Sequence, residues 1–207
     1  MSSAETTAQR LLDISEIANL QGRYMYYLEA HDYPKVLDSF SRDPEVSVEI
    51  GESGVYVGPA KVEAMFLKVL KPLFSLPGAL PLHMLTTPVI EVDPDGVRGW
   101  GMWQTLGCNS FPTPAGMTAV WQQGIYDNAY VKEDGRWKIL RMRWLPNFRT
   151  SFDKGWVKEP LFKVEPLNPS KLPLDSRPDL PPSAAFESYS PTAVRHRAPR
   201  PPEPTSR

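Results

Sequence analysis

Apolar side chains recur every three or four residues along the first third of the chain. Over residues 15 to 32 they form one stripe, which predicts an amphipathic helix with one buried face. A second short helix is predicted over residues 33 to 40. Residues 60 to 70 return to helical spacing, and Pro72 with the pair Pro77-Gly78 is expected to end that helix.

Other segments alternate apolar and polar side chains with a period of two, as β-strands do. Residues 46 to 50 and 55 to 57 predict a hairpin around the turn residues 51 to 54. Longer strands are predicted at residues 82 to 92, 97 to 107, 118 to 132 and 136 to 145, with a long loop through Pro112 and Pro114. Helices followed by an antiparallel meander indicate an α+β domain with helices on one side of a curved sheet.

The composition changes after residue 159, because twelve of the 23 prolines fall in residues 160 to 207. Such a segment cannot form a core of its own. We therefore expect a flexible N-terminus over residues 1 to 9, one domain over residues 10 to 159, and a Pro-rich C-terminal tail over residues 160 to 207. The simplest interpretation is an exposed, extended tail. The alternative is a tail that wraps along the domain or a neighbouring subunit, anchored by Leu161-Phe162, Phe186 and Tyr189.

The length and charge of the chain argue for a single-domain protein without a nucleic-acid or membrane partner. A chain of 207 residues suits one domain plus a tail. A net charge of -1 and a pI near 6.3 give no electrostatic footprint for nucleic acid or an anionic membrane. Residues 1 to 16 lack the pattern of a signal peptide, and no apolar run is long enough to span a membrane. We expect a soluble, cytoplasmic protein with no nucleic-acid or membrane partner.

The sequence offers few groups for metal or redox chemistry. Cys108 is the single cysteine, so no internal disulfide can form, and the three histidines lack metal-ligand spacing. A phosphate-binding glycine loop and a serine nucleophile motif are also missing. No cofactor and no metal are therefore expected.

Several motifs follow one another in a specific order. They are Gly22-Arg23-Tyr24 through Leu28-Glu29, the stretch from Gly54 to Pro59, His83, the stretch from Gly124 to Asn128, and the stretch from Asp134 to Ile139. In this order they resemble the SnoaL-like branch of the nuclear transport factor superfamily over about residues 10 to 150. The resemblance implies a cone-shaped α+β barrel, in which N-terminal helices close a curved, mainly antiparallel sheet.

Within that branch the chain is similar to cofactor-free lyases: hexachlorocyclohexane dehydrochlorinase, bile-acid 7α-dehydratase and scytalone dehydratase. The resemblance implies a catalytic histidine at His83, oriented by a carboxylate from the first helix at Glu29, where many members have aspartate. Some members add an arginine on the last strand. That position falls nearest Met142, which makes Arg143 a candidate.

The residues alone leave these roles open. A single histidine on a strand is more often part of the core than a catalytic group. On a helical wheel Glu29 lies beside the apolar stripe, on the flank shared with Met25, which by itself places it in solvent. Asp32 is the reserve carboxylate, although its simplest role is in the break between the two helices.

The predicted pocket is rich in aromatic side chains. Strand alternation puts Trp103 on one face with Thr105, and puts Gln122 on one face with Tyr126. The predicted substrate-binding residues are Tyr24, Met25, Tyr27, Glu49, Trp103, Gln122, Tyr126 and Arg143.

A histidine base in such a pocket suits elimination from a hydroxylated aromatic substrate. The leading interpretation is a cofactor-independent lyase that removes water, formaldehyde or both, as the lignin diarylpropane and phenylcoumaran lyases of this superfamily do. The alternatives are an isomerase or polyketide cyclase acting on a polycyclic substrate, and a non-catalytic binding or assembly module. A homo-oligomer, dimeric or trimeric, is expected in each case.

Overall fold

A computed structural model describes residues 3–194 and 199–204 of the chain. His196 lies outside the described residues. The helices are α1 Ser3–Glu29, α2 Tyr33–Asp38, α3 Pro59–Ala64 and α4 Lys71–Phe74, with a π-helical turn Met65–Leu70 joining α3 to α4. The strands are β1 Ser47–Ile50, β2 Val55–Val57, β3 Leu80–Val92, β4 Arg98–Thr113, β5 Gly116–Glu133 and β6 Arg136–Ser151.

Helix α1 begins twelve residues earlier than the apolar stripe predicts. The expected flexible N-terminus is wrong for residues 3–9, which are helical. Leu11 and Leu12 are more than half exposed, so this part of the helix buries no continuous stripe that periodicity could detect. This part of the helix is instead favoured by residues of good helix propensity. Glu5 in the first turn adds a negative charge, which stabilises a helix N-terminus.

The first two helices meet at a sharp break. His31 takes a positive φ of 58°, which ends α1. The Asp32 side chain then accepts a hydrogen bond from the backbone N–H of Lys35 and caps α2. The predicted role of Asp32 in this break is confirmed, since its carboxylate caps α2 and pairs with Lys35.

The third helical stretch runs past the proline that was expected to end it. Pro72 occupies the first turn of α4, where a helix does not need the missing backbone N–H. The preceding π turn interrupts the regular hydrogen-bond ladder and lets the chain continue to Phe74. The extension brings Leu73 and Phe74 against the sheet.

One six-stranded sheet forms the body of the domain, in the order β2-β1-β6-β5-β4-β3. All neighbours are antiparallel except β1 and β6, which are parallel. The sheet is curved and does not close, since β2 and β3 are its edges. Helix α1 packs on the inner face, where Ile17 and Tyr24 join Trp103 and Tyr130 in the main core. The predicted cone-shaped α+β fold is confirmed.

Two strands are longer than their sequence pattern predicts. The expected long loop through Pro112 and Pro114 is wrong, because β4 continues to Thr113 and turns directly into β5. Strand β6 passes Pro146 and reaches Ser151. Its register shifts opposite the pair Gln123/Gly124, and proline is tolerated at such a bulge.

The Pro-rich segment does not extend into solvent over residues 160 to 190. Leu161 forms a parallel bridge with Arg149 of β6, and Leu180 forms an antiparallel bridge with Val55 of β2. Val164 is buried in a second small core. The favoured interpretation of an exposed tail is therefore wrong for these residues, because their backbone groups pair with strands of the sheet.

Residues 183 to 189 of this segment are also hydrogen-bonded to the sheet. The Ser183 backbone N–H donates to Glu49 Oε1 at 2.7 Å, and the Tyr189 backbone N–H donates to the Asn147 carbonyl at 2.6 Å. The tail thus wraps along the domain, which was the alternative interpretation.

Candidate active site

A row of four residues crosses the sheet beneath α1. His83 on β3 pairs with Gly107 on β4, Gly107 pairs with Gln122 on β5, and Gln122 pairs with Arg149 on β6. Residues in such a row project from the same face of a sheet. Gly107 has no side chain, so His83 and Gln122 meet above it. A Cβ atom at Gly107 would lie only 2.6 Å from His83 Cδ2 and 2.8 Å from Gln122 Cγ.

Hydrogen bonds connect this row into a chain. Gln122 Nε2 contacts His83 Nε2. Arg149 Nε donates to Gln122 Oε1 at 3.2 Å, and Arg149 Nη1 donates to Glu52 Oε1 at 2.6 Å. Glu52 lies in the 3-10 turn Gly51–Ser53 that follows β1. A carboxylate therefore reaches the histidine through an arginine and an amide.

Arg149 is a buried cation, with only 2% of its surface exposed. A buried charge is costly unless it is paired and hydrogen-bonded. Glu52 supplies the opposite charge, the Phe162 carbonyl accepts from Nη1 at 3.2 Å, and the guanidinium carbon lies 5.6 Å from the centre of the Trp144 ring. These partners hold the guanidinium in one orientation.

A cavity of about 50 Å³ lies beside this chain of side chains. His83, Gln122, Arg149 and Asn109 supply its polar edge. The Trp144 ring stacks on the His83 ring at 5.3 Å between centres and 21° between planes. The other residues lining the cavity are Tyr24, Leu28, Ile50, Leu70, Phe74, Phe111, Tyr126, Met142 and Leu167.

Burial keeps the histidine neutral. Loss of solvent around the ring and, to a smaller extent, the nearby positive charge of Arg149 together lower the pKa of His83 from 6.5 to about 4. At neutral pH the imidazole is therefore uncharged, and one of its two ring nitrogens carries no proton.

The two cavity tyrosines keep their protons for the same reason. Burial raises the pKa of Tyr24, and the neighbouring Tyr126 hydroxyl raises it further. Burial also raises the pKa of Tyr126. Both hydroxyl groups therefore remain available as proton donors at neutral pH.

The structure places four of the predicted site residues on the cavity: Tyr24, His83, Gln122 and Tyr126. The predicted pairing of Glu29 with His83 is wrong. His83 Nε2 contacts Gln122, and Nδ1 has no hydrogen-bond partner in the described part of the chain. Leu28 occupies the face of α1 that borders the cavity, and Glu29, one residue on, turns about 100° away from it.

Three predicted substrate-binding residues of the helix and β4 lie elsewhere in the structure. Met25 and Trp103 are core residues, and Trp103 packs edge-on against Tyr130. Tyr27 is half-buried and lies under the ammonium group of Lys35. None of the three lines the cavity.

The two predicted charged ligands also have other roles. Glu49 is buried and accepts from the Ser183 backbone N–H of the tail. Arg143 Nε donates to Asp127 at 2.8 Å. Asp127 follows the cavity residue Tyr126 directly, so it projects from the opposite face of the strand, and Arg143 lies with it.

The sequence interpretation missed Asn109, Phe111 and Arg149. All three lie on parts of β4 and β6 that were predicted to be loop or lay beyond a proline. Alternation alone gave no signal for Arg149, because Met142 and Trp144 face the cavity and strict alternation would turn position 149 outward. The bulge near Pro146 shifts the register by one residue and returns position 149 to the inner face. The cation expected near Met142 is therefore supplied seven residues further along the same strand.

Residues 9–143 match the family model of the SnoaL-like domain. The chain belongs to this family. The match covers the helices and most of the sheet, and the SnoaL-like domain here is extended by the end of β6 and the wrapped tail. No curated protein sequence matches the chain.

Solved structures with the same fold include three proteins of the superfamily. A type 2 LinA hexachlorocyclohexane dehydrochlorinase is 19% identical, with a TM-score of 0.61 over 70% of this chain and 93% of the other. The type 3 enzyme of Novosphingobium barchaimii is 18% identical, with a TM-score of 0.59 over 70% and 94%. A provisionally named scytalone dehydratase of Novosphingobium aromaticivorans is 16% identical, with a TM-score of 0.60 over 76% and 98%. At these identities the likeness establishes the fold.

Residues 3–194 and 199–204 contain neither a metal-binding cluster nor a membrane-spanning helix. No group of three or more histidine, cysteine, aspartate or glutamate side chains is arranged to hold a metal ion. No helix in these residues combines the length and apolar character needed to span a membrane.

Proposed function

We propose that the protein is a cofactor-independent lyase acting on a hydroxylated aromatic substrate, with His83 as the proton acceptor. The observation that carries this proposal is a neutral histidine at the edge of an aromatic cavity, held by an amide and stacked on Trp144. Relatives by fold that are named as a dehydrochlorinase and a dehydratase support elimination as the reaction class.

The elimination of water needs only groups that line the cavity: His83 as the base and the Tyr24–Tyr126 pair as the acid. A proton on the carbon next to the one that bears the leaving hydroxyl passes to His83 Nε2, where it replaces the hydrogen bond from the Gln122 amide. The electron pair of the broken carbon–hydrogen bond forms a carbon–carbon double bond, and the carbon–oxygen bond breaks. The departing hydroxide takes a proton from the hydroxyl pair of Tyr24 and Tyr126 and leaves as water. The imidazolium then returns its proton to the tyrosinate, which restores both groups.

Lignin-derived diarylpropanes and phenylcoumarans are the substrates that we propose within this class. In these compounds a para-phenol supplies electrons for cleavage of the benzylic carbon–oxygen bond. The base then takes the proton of the terminal hydroxymethyl group, and formaldehyde leaves. Support comes from the family resemblance and from the cavity walls. Aromatic rings there lie beside two buried nitrogens, His83 Nδ1 and Asn109 Nδ2, that have no hydrogen-bond partner among the described residues.

The size of the cavity adds a requirement for substrate entry. Its volume of about 50 Å³ has room for a few water molecules, whereas an apolar cavity of about 150 Å³ is known to bind benzene. Leu167 of the wrapped tail forms part of its wall. We propose that an aromatic substrate displaces this part of the wall when it binds.

Product mass distinguishes the lyase from its alternatives. Purified, metal-chelated protein is incubated with a panel of hydroxylated lignin dimers, steroids and polyketides, followed by mass spectrometry and a formaldehyde assay. We expect loss of about 18, 30 or 48 mass units from an aromatic diol, which correspond to water, formaldehyde or both. An isomeric product of unchanged mass would favour the isomerase or cyclase, and binding without turnover across the panel would favour the binding module.

A further inference from the structure

We infer that Arg149 is a positioning residue that, through the Gln122 amide, fixes the tautomer of His83 with Nε2 unprotonated and the proton on Nδ1. As far as it names the reactive atom, this rests on the proposed function, in which the substrate proton reaches the Nε2 lone pair by displacing the Gln122 hydrogen bond. It concerns the protein without substrate, so it can fail or succeed separately from the proposed function.

The direction of each hydrogen bond follows from what the groups can do. A guanidinium group only donates, so Arg149 Nε must face the oxygen of the Gln122 amide. The NH2 group of that amide then faces His83 and also only donates. His83 Nε2 must accept, and a neutral imidazole that accepts at Nε2 carries its proton on Nδ1.

Arg149 cannot easily turn to allow the opposite arrangement. Its backbone N–H donates to the Pro160 carbonyl at 3.0 Å, and its carbonyl accepts from the Phe162 N–H at 2.6 Å. Its side chain is bound to Glu52 and to the Phe162 carbonyl. A flipped Gln122 amide would place two donors against each other, with NH2 facing Arg149 Nε–H.

Glu52 and the Phe162 carbonyl of the tail thus influence the orientation of His83 without contacting it, because both bind Arg149. Carboxylates often orient a histidine by direct contact. Here Glu52 orients Arg149, Arg149 orients the amide, and the amide orients the imidazole. The negative charge is kept off the imidazole, which agrees with a ring that stays neutral.

Nitrogen-15 NMR of histidine-labelled protein at pH 7, without substrate, tests the inference. His83→Gln assigns the resonances, because only three histidines are present. We expect His83 Nε2 in the unprotonated range and Nδ1 in the protonated range. A protonated Nε2 in the wild-type protein would overturn the inference.

The variant Gln122→Glu has nearly the same shape and accepts at both oxygens. Its carboxylate should keep the bond to Arg149 through one oxygen and accept a hydrogen bond from His83 through the other, so that Nε2 becomes the protonated nitrogen. Gln104→Glu is the matched control, because Gln104 is exposed on the neighbouring strand β4 and should leave the His83 spectrum unchanged. An unprotonated Nε2 in Gln122→Glu would contradict the inference.

The variant Arg149→Met isolates the contribution of the arginine. With the donor removed, the Gln122 amide can take either orientation, and we expect His83 to become a mixture of both tautomers. A single tautomer identical to that of the wild-type protein would show that Arg149 does not set it. Should this buried substitution prevent folding, the spectrum of Gln122→Glu decides the matter.

Discussion

Gly107 determines how the side chains of the row meet. Its neighbours across the sheet are His83 and Gln122, two strands apart, and any side chain between them would separate the ring from the amide. The backbone there has an ordinary φ, so the requirement is one of space alone.

Substitution of Gly107 by alanine should therefore damage the site. The new Cβ would lie 2.6 to 2.8 Å from atoms of His83, Gln122 and Asn109. We expect a loss of about 1–3 kcal/mol in the free energy of unfolding, the usual cost of overpacking, together with displacement of His83. Urea denaturation measures the first effect, and the His83 NMR signals report the second.

Gly22→Ala is the matched control. A Cβ at Gly22 in α1 would meet nothing within 4 Å. Since alanine is the better helix former, this variant should gain about 0.5–1 kcal/mol in stability. Equal stability changes in the two variants would contradict the role assigned to Gly107.

The sequence could predict some site residues and not others for reasons seen in single side chains. Alternation on β5 was enough to place Gln122 and Tyr126 on one face. The helical wheel argued against Glu29, and the structure agrees with the wheel rather than with the family resemblance. Arg149 depended on a bulge near Pro146, which no local pattern announces.

At the scale of elements, the tail completes the cavity. Residues 161 to 167 connect the end of β6 to the second core cluster, where Val164 packs with Leu73, Phe111 and Val120. The 3-10 turn Glu165–Leu167 then places Leu167 on the cavity wall. This part of the wall belongs to one short turn outside the sheet.

Removing part of this wall should ease binding of a bulky substrate. Leu167→Ala is expected to lower KM several-fold for an aromatic substrate, because less of the wall must be displaced. Leu174→Ala is the control from the same segment, since Leu174 is 77% exposed and should leave KM unchanged. Steady-state kinetics on both variants checks this, and an unchanged or raised KM for Leu167→Ala would argue against entry at this wall.

The elements themselves were largely predictable because their patterns are local. The periodicity of apolar residues predicted every strand of the sheet and the third helix. Predictions that proline ends an element were wrong at Pro72, at Pro146 and in the tail. A π turn precedes Pro72, a bulge lies at Pro146, and the tail pairs with strands of the sheet. These accommodations depend on partners far away in sequence.

At the scale of the whole molecule, the buried histidine links stability to pH. The pKa of His83 is lowered from 6.5 to about 4 in the folded protein. Between these values the unfolded chain binds a proton that the folded protein does not, so stability is lost as pH falls through this window. The loss is at most about 3 kcal/mol, from 1.36 kcal/mol per pKa unit.

Comparison with His83→Gln separates this effect from the titration of carboxylates. The free energy of unfolding of the wild-type protein should fall more steeply than that of the variant between pH 6.5 and pH 4. Urea denaturation across this range measures both slopes. Parallel slopes would mean that His83 is not kept neutral by the fold.

The catalytic role of His83 is tested most directly by turnover of a dehydratable aromatic diol by His83→Gln and Glu29→Gln beside the wild-type protein. Removing the general base should lower kcat/KM by about 10²- to 10⁴-fold. Glu29→Gln should stay close to the wild-type value, because the carboxylate does not contact His83 in this structure. Near wild-type turnover by His83→Gln would contradict the proposed mechanism, and a large loss in Glu29→Gln would restore the carboxylate–histidine pair that the family resemblance implies.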